Sequence, residues 1–234
     1  MVINVSYKKI ILIPSLLWVL SAFESCKNKS DYFMQNIKLS IEKKNDSDYT
    51  QALIYVNDAL KFDSTKSFAY VLKGQIEACL EQDPIAIKSY EKALHLNPKN
   101  VSAYFFKGLS YYVLDFNDSA ISCFTNAINA KKTSTGIIFD ENNEHLPLQD
   151  QLNVPNFKIF YFQGLSYFYN NQFSLAIEDL SYSLISGYQV ARSQFYIGAS
   201  YLKMGNRNMA CFYLKKASVN GEIEAKEMLK TYCH

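Results

Sequence analysis

Histidine is scarce in this chain, with three in 234 residues, and His95, His145 and His234 stand isolated from one another. No cysteine or histidine pair has the spacing of metal ligands. Glycine is also sparse, at eight residues, and no glycine-rich loop that could cradle a phosphate is present. Charge of a single sign is missing. The net charge is +2 with acidic and basic residues scattered, so there is no clustered basic face of the kind nucleic acid binding requires. Asp140, Glu141 and Glu144 lie close in sequence but lack the alternating ligands of a calcium loop, and read as a solvated loop. The fragment G-x-S-Y recurs at Gly108–Tyr111, Gly164–Tyr167 and Gly198–Tyr201. A nucleophile elbow needs a further glycine, and Tyr112, Phe168 and Leu202 stand there instead, inside helical patterns. These absences argue against catalysis, a metal site, a cofactor or a small-molecule substrate.

A long hydrophobic run is lacking as well. Ile10–Phe23 is apolar, but it is shorter than the roughly 18 residues of a membrane-spanning helix and is interrupted by Pro14. Lys8 and Lys9 precede it, and Glu24, Ser25 and Cys26 follow. That is the layout of a secretory signal peptide. The segment resembles a bacterial lipoprotein signal, which implies residues 1–25 as signal, Cys26 as the lipidated first residue and 26–32 as a polar tether. Glu24 and Phe23 depart from that pattern, and an uncleaved anchor or cleavage elsewhere are the alternatives. Without residues 1–25 the chain has 22 basic and 21 acidic residues. The resemblance implies export to the cell envelope and membrane attachment through the N-terminal lipid.

Four cysteines remain beyond Cys26: Cys79, Cys123, Cys211 and Cys233. An oxidising envelope permits disulfides. These four are far apart in sequence, and free cysteine is among the most buried residue types, so packed thiols are expected rather than a disulfide framework.

Apolar material is plentiful, with 49% hydrophobic and 15% aromatic residues, which provides for an extensive core. Its organisation is periodic. Ser67–Asn100 and Val101–Ser134 are versions of one another: Gly74 and Gly108 are 34 residues apart, as are Ala86 and Ala120, Tyr90 and Phe124, and Ala93 and Ala127. A fixed period of this length means a stack of helix–turn–helix units. Extended backwards, it gives a first unit at Phe33–Lys66 with helices over Asp31–Lys44 and Asp48–Lys61, Asp48 capping the second. In the second unit Asp83 reads as a cap ahead of Pro84 at the first helical position.

The period breaks after Ser134 and resumes in register, since Gly164 follows Gly108 by 34 plus the 22 residues of an insertion at 135–156. The organisation is therefore repeats 1–3 over 33–134, the insertion, repeats 4–5 over 157–224 (Phe157–Val190 and Ala191–Glu224), and an amphipathic capping helix over 222–232. Its polar side is Glu224, Lys226, Glu227 and Lys230, beside Ile223, Met228 and Leu229.

The pattern resembles the tetratricopeptide repeat. Alanine occupies the twentieth position of all five units, at Ala52, Ala86, Ala120, Ala176 and Ala210; Ser40, Gly74, Gly108, Gly164 and Gly198 occupy the eighth; Ala59, Ala93, Ala127, Ser183 and Ala217 the twenty-seventh. Lys43 and Glu77 replace the usual tyrosine, and proline closes only the second unit. The expected fold is all-α, an α-solenoid of about five such repeats. Small residues allow close crossing of paired helices, with Tyr90, Tyr111, Phe124, Tyr167 and Tyr201 filling the spaces between crossings.

The resemblance implies a concave face lined by the first helix of each unit. Its positions correspond here to Phe68 and Val71; Phe105, Leu109 and Tyr112; Tyr161, Leu165, Phe168 and Tyr169; and Phe195 and Leu202. Ile37, Ile41 and Gln75 stand where a polar carboxylate clamp would be, which argues against that clamp. The surface implied is an apolar, tyrosine-bearing groove for a segment of a partner protein. The alternatives are that these aromatics are ordinary core, or that Ile137, Ile138 and Phe139 of the insertion cover them. The functional expectation is a non-catalytic scaffold or adaptor of the envelope. The narrower alternative is an accessory lipoprotein for outer-membrane protein assembly or for pilus and secretin biogenesis.

Overall fold

A computed structural model describes residues 14–133 and 154–233, with side chains from 30 to 132 and from 154 to 233. The side chain of Cys26 and most of the 135–156 insertion lie outside the described residues. The chain divides into two compact units, Met1–Ser64 and Thr65–His234. Eleven helices account for the regular structure among the described residues, and none is long and apolar enough to cross a membrane.

The first unit holds α1 (Pro14–Asn45) and α2 (Tyr49–Phe62), packed as an antiparallel pair. Helix α1 begins upstream of the expected Asp31, and its backbone runs through 26–32, where a tether was expected. Phe33, Ile37, Ile41, Ala52, Val56 and Ala59 form the buried seam. Asp48 caps α2 by accepting the Gln51 N–H at 3.2 Å, which satisfies one of the orphan donors of the helix start.

The second unit holds α3 (Ser67–Cys79), α4 (Asp83–Leu96), α5 (Val101–Val113), α6 (Asn117–Thr133), α7 (Asn156–Tyr169), α8 (Phe173–Ile185), α9 (Val190–Lys203), α10 (Arg207–Val219) and α11 (Ile223–Tyr232). Each helix packs on its sequence neighbour, and the first helices also touch in succession, α3 on α5, α5 on α7 and α7 on α9. They form one layer, and the second helices of the units form the other. Asp83 is not the cap expected of it. It is the first residue of α4 and buried, with Gln82 at the cap position and no side-chain cap hydrogen bond there. One residue's difference in where the helix starts moves Asp83 from the cap into the first turn.

All five turns inside the repeats share one conformation. Ser47, Glu81, Asp115, Asn171 and Gly205 have φ of 63°, 59°, 61°, 59° and 79°. The N–H of the residue after each reaches back to the carbonyl five residues earlier: Lys43, Glu77, Tyr111, Tyr167 and Tyr201 accept from Asp48, Gln82, Phe116, Gln172 and Asn206. This is the Schellman closure of a helix C-terminus. It sets the sharp reversal that lays the second helix against the first.

Small residues at the crossings do what the sequence implied, though Tyr90 and Phe124 sit elsewhere than expected. A Cβ on Gly74 would lie 2.5 Å from the Tyr90 ring, and one on Gly164 or Gly198 would lie 2.8 Å or 2.9 Å from Cγ of Leu180 or Leu214. Tyr90 and Phe124 are buried and lie directly over the glycines, at the crossings and not between them. In the first unit the pair is Ser40 and Val56: both are fully buried, and the Ser40 hydroxyl donates to the Ala52 carbonyl at 2.8 Å.

Two further expectations are corrected. Cys211 and Cys233 form a disulfide with Cα atoms 5.6 Å apart, within the usual span; Cys123 is a buried free thiol and Cys79 an exposed one. The pair is distant in sequence, but α10 and α11 pack side by side and bring the two together. In α11, Met228 and Leu229 pack on the cluster of Leu214, Ala217 and Ala225, where Ala225 is the buried contact, whereas Ile223 is exposed.

Candidate partner-binding surface

The eleven residues expected on the concave face separate into two groups. Val71, Phe105, Tyr161 and Leu165 are buried and belong to hydrophobic clusters between helices. They specify packing and are unavailable to a partner, because each points into the seam with its neighbouring helix. Phe105 shows this best: its ring lies 5.9 Å from Phe124 and 6.0 Å from Phe162, joining α5, α6 and α7. Phe68, Leu109, Tyr112, Phe168, Phe195 and Leu202 are half-buried, and Tyr169 is 47% exposed. Ile37 and Ile41, the residues at the first-unit clamp positions, are buried.

The aromatics of α5, α7 and α9 form a connected row that is accessible at Tyr112, Phe168 and Tyr169 and buried at Tyr196. The Tyr112 ring lies 6.1 Å from Tyr169, Tyr169 lies 6.0 Å from Tyr196, and Phe168 meets Tyr196 edge-on at 5.0 Å. These spacings fall in the attractive range for aromatic pairs. The Tyr169 and Tyr196 hydroxyls are 2.7 Å apart. Burial pushes the phenols of Tyr112, Tyr161 and Tyr196 above their ordinary value. All three are protonated donors at neutral pH.

Arg192 closes the row. Its guanidinium lies 5.9 Å from the centroid of the Tyr196 ring. It pairs with Glu222 at 3.5 Å and Glu224 at 3.8 Å, at the start of α11. Burial works against the Arg192 charge, and Tyr196, Glu222 and Glu224 outweigh it, so the guanidinium is held above its ordinary value. Glu222 is pushed up, first by its hydrogen bond with Glu224 and then by burial. Sequence reasoning passed over Arg192 and Tyr196. Arg192 stands at the second position of its unit, one of those assigned to the concave face, but only the apolar residues there were read as binding residues.

Repeated pairs of α-helices, five identical left-handed turns and a layer of first helices in mutual contact decide the architecture. The fold is a tetratricopeptide-type α-solenoid. Solved structures agree with this. The chain is similar to the MamA protein at a TM-score of 0.64 and 20% identity, over 88% of this chain and 97% of that one. It is similar to YrrB, described as a tetratricopeptide-repeat protein with an unusual peptide-binding site, at a TM-score of 0.67 and 17% identity, over 89% and 97%. The Cut9–Hcn1 tetramer of the anaphase-promoting complex gives a TM-score of 0.67 at 17% identity, over 93% of this chain and 41% of that one. In sequence the chain matches anaphase-promoting complex subunit 3 of Schizosaccharomyces pombe, 28% identical over 91 residues, or 39% of this chain. It spans only 14% of that relative's length. No family model matches the chain.

The solenoid has two further polar features in its second unit. Asp179 of α8 is buried against the crossing with α7: its Cβ lies 3.2 Å from where a Cβ on Gly164 would be, and Oδ2 has no hydrogen-bond partner among the described residues. Burial, and then Glu178, push its carboxyl up to about 7. Beside the insertion, Lys131 donates to the Val154 carbonyl at 2.6 Å. Val154 joins the core cluster of Phe105, Phe124 and Ile159, so the described end of the insertion is tied to α6 and to the core.

Proposed function

We propose that this chain is a non-catalytic adaptor of the bacterial cell envelope that binds a segment of a partner protein on the tyrosine-bearing face of α5, α7 and α9, with Cys26 as its lipid anchor. The observation carrying the binding half is the accessible row of Tyr112, Phe168 and Tyr169 on successive first helices. Aromatic side chains, tyrosine above all, offer large contact area with few rotatable bonds and a polar tip. The observations supporting export are the basic–apolar–small layout ending at Cys26 and the Cys211–Cys233 disulfide, since disulfides persist in oxidising compartments. Nucleic acid has no part in this reading, and the partner is a protein or peptide.

Crosslinking capture from envelope extracts tests the binding half. A triple Tyr112→Ala, Phe168→Ala, Tyr169→Ala variant that folds should lose captured partners; equal capture would remove the groove. Tyr161 is left intact because it is core. For anchoring, Cys26→Ser should release the protein from membranes and abolish acyl labelling. A single acyl chain holds weakly, so stable retention needs full lipoprotein processing. Within this reading, assistance to outer-membrane protein assembly or to pilus and secretin biogenesis is the narrower form. Loss of the protein would then lower the amounts of barrels or secretin.

A further inference from the structure

Both arginines of the chain, Arg192 and Arg207, are engaged with α11, and so is the disulfide. Arg192 of α9 pairs with Glu222 and Glu224 at the start of that helix, at 3.5 Å and 3.8 Å. Arg207, the first residue of α10, donates from Nε to the Tyr232 carbonyl at the other end, and Cys211 is bonded to Cys233 one residue further on. Little else holds the helix. It is 10 residues long, with Ala225 buried and Met228 and Leu229 half-buried, and helices shorter than about 12–15 residues are marginal on their own. Gly221, with φ of 98°, joins it to α10 in a conformation that favours glycine.

What α11 engages belongs to the concave face. Its start neutralises Arg192, which stands at the end of the aromatic row, 5.9 Å from the Tyr196 ring. Its Ala225 completes the cluster with Leu214 and Ala217 against which Phe195 packs. Arg192 and Phe195 both lie on α9. Cys211 and Cys233 are half-buried, so their sulfurs are within reach of a small thiol. A bridge closing a loop of this length shifts the opening of what it closes by about a hundredfold.

We propose that the Cys211–Cys233 bridge is a redox latch on the partner-binding face. While oxidised it keeps α11 docked, with Arg192 paired and Phe195 packed. Reduction by a dithiol frees α11 and leaves an unpaired cation beside an uncovered ring at the α9 end of the row. A thiolate of the reductant attacks one sulfur and the bond between Cys211 and Cys233 breaks; the reductant's second thiol then closes its own disulfide. Two electrons and two protons pass to the protein, giving two cysteine thiols. That this face binds a partner rests on the groove reading above; the latch itself does not.

Labelling of the full chain with phenylglyoxal tests this, with each arginine followed by mass spectrometry before reduction and after reduction with dithiothreitol and its removal under nitrogen. Arg192 should label about two- to fivefold faster in the reduced protein, the worth of an exposed ion pair, and Arg207 should accelerate with it. Cys233→Ser should label at the reduced rate without reductant. Glu222→Gln combined with Glu224→Gln separates the coupling from a general loosening: Arg192 should label fast with the bridge intact, while the α11 amides stay protected from exchange. Equal Arg192 rates in the oxidised and reduced wild type would overturn the proposal. Loss of amide protection in α5 and α7 on reduction would do so too, because it marks unfolding of the array and not release of one helix. The groove reading fails separately. Unchanged envelope capture by the triple alanine variant removes the groove and leaves the latch; equal arginine rates remove the latch and leave the groove.

Discussion

The Cβ that Gly108 lacks would lie 2.7 Å from Cε1 of Phe124, and Phe124 is fully buried. Alanine improves helix propensity over glycine by about 1 kcal/mol, yet Gly108→Ala forces a buried ring to shift. Overpacking of this kind costs about 1–3 kcal/mol, so the substitution should lower stability in denaturant titrations. The first unit has the larger Ser40 and the smaller Val56 at the repeat positions of Gly108 and Phe124, both fully buried. Gly108→Ser combined with Phe124→Val should show a favourable coupling energy in a double-mutant cycle. Additive losses would contradict the direct packing of the two positions.

The repeated left-handed turn gives a second test. Glu81 and Asp115 adopt φ near +60°, a conformation costing a residue with a Cβ about 1–2 kcal/mol. Gly205 occupies the equivalent place without that cost. Glu81→Gly and Asp115→Gly should each raise the midpoint of urea unfolding, partly offset by the greater freedom of glycine in the unfolded chain, for a net gain of up to about 1 kcal/mol. Gly205→Ala should lower the midpoint by a similar amount.

Asp179 predicts the pH dependence. Its carboxyl is pushed from 3.8 up to about 7 by burial and then by Glu178, so the folded state favours the neutral form. A carboxyl raised in this way leaves stability intact below the unfolded value near 4 and erodes it as pH rises through about 7. The loss is about 2–4 kcal/mol. Asp179→Asn keeps the shape and removes the titration. It should be more stable than the wild type at pH 8 and nearly equal to it at pH 4, read as the difference between their thermal midpoints at the two values.

The Cys211–Cys233 bridge closes a 22-residue separation around α11, a helix in which Ala225 is the buried residue. Loop-closure entropy assigns such a bridge about 3 kcal/mol. Cys233→Ser, or reduction with a thiol, should lower the melting temperature. Amide exchange should speed up first in α11, with α5 and α7 retaining their protection.

Much of the fold was legible because its requirements recur locally. Every unit needs a small residue where two helices cross, and Ala52, Ala86, Ala120, Ala176 and Ala210, all fully buried, meet that need at a fixed period that survives the insertion. The site was legible only in part. Tyr112, Phe168 and Tyr169 were picked out and are accessible, while Val71, Phe105, Tyr161 and Leu165 are core; Leu109 shares the ninth position of its unit with Leu165 and is only half-buried. Position within a repeat says which helix face a residue occupies; it does not say how much of that face the next unit covers. The φ of Glu81 was illegible for another reason, since nothing about glutamate announces a left-handed turn.

The sequence by itself determined the repeat register, the helix pairing and the crossings, because those depend on residues inside one 34-residue unit. Only the tertiary structure decided what depends on two units at once. It placed Tyr169 against Tyr196 across 27 residues and set Arg192 between that row and the carboxylates of Glu222 and Glu224. It also brought Cys211 to Cys233, because each of these pairs is made by the stacking of separate helices, and no spacing along the chain encodes it.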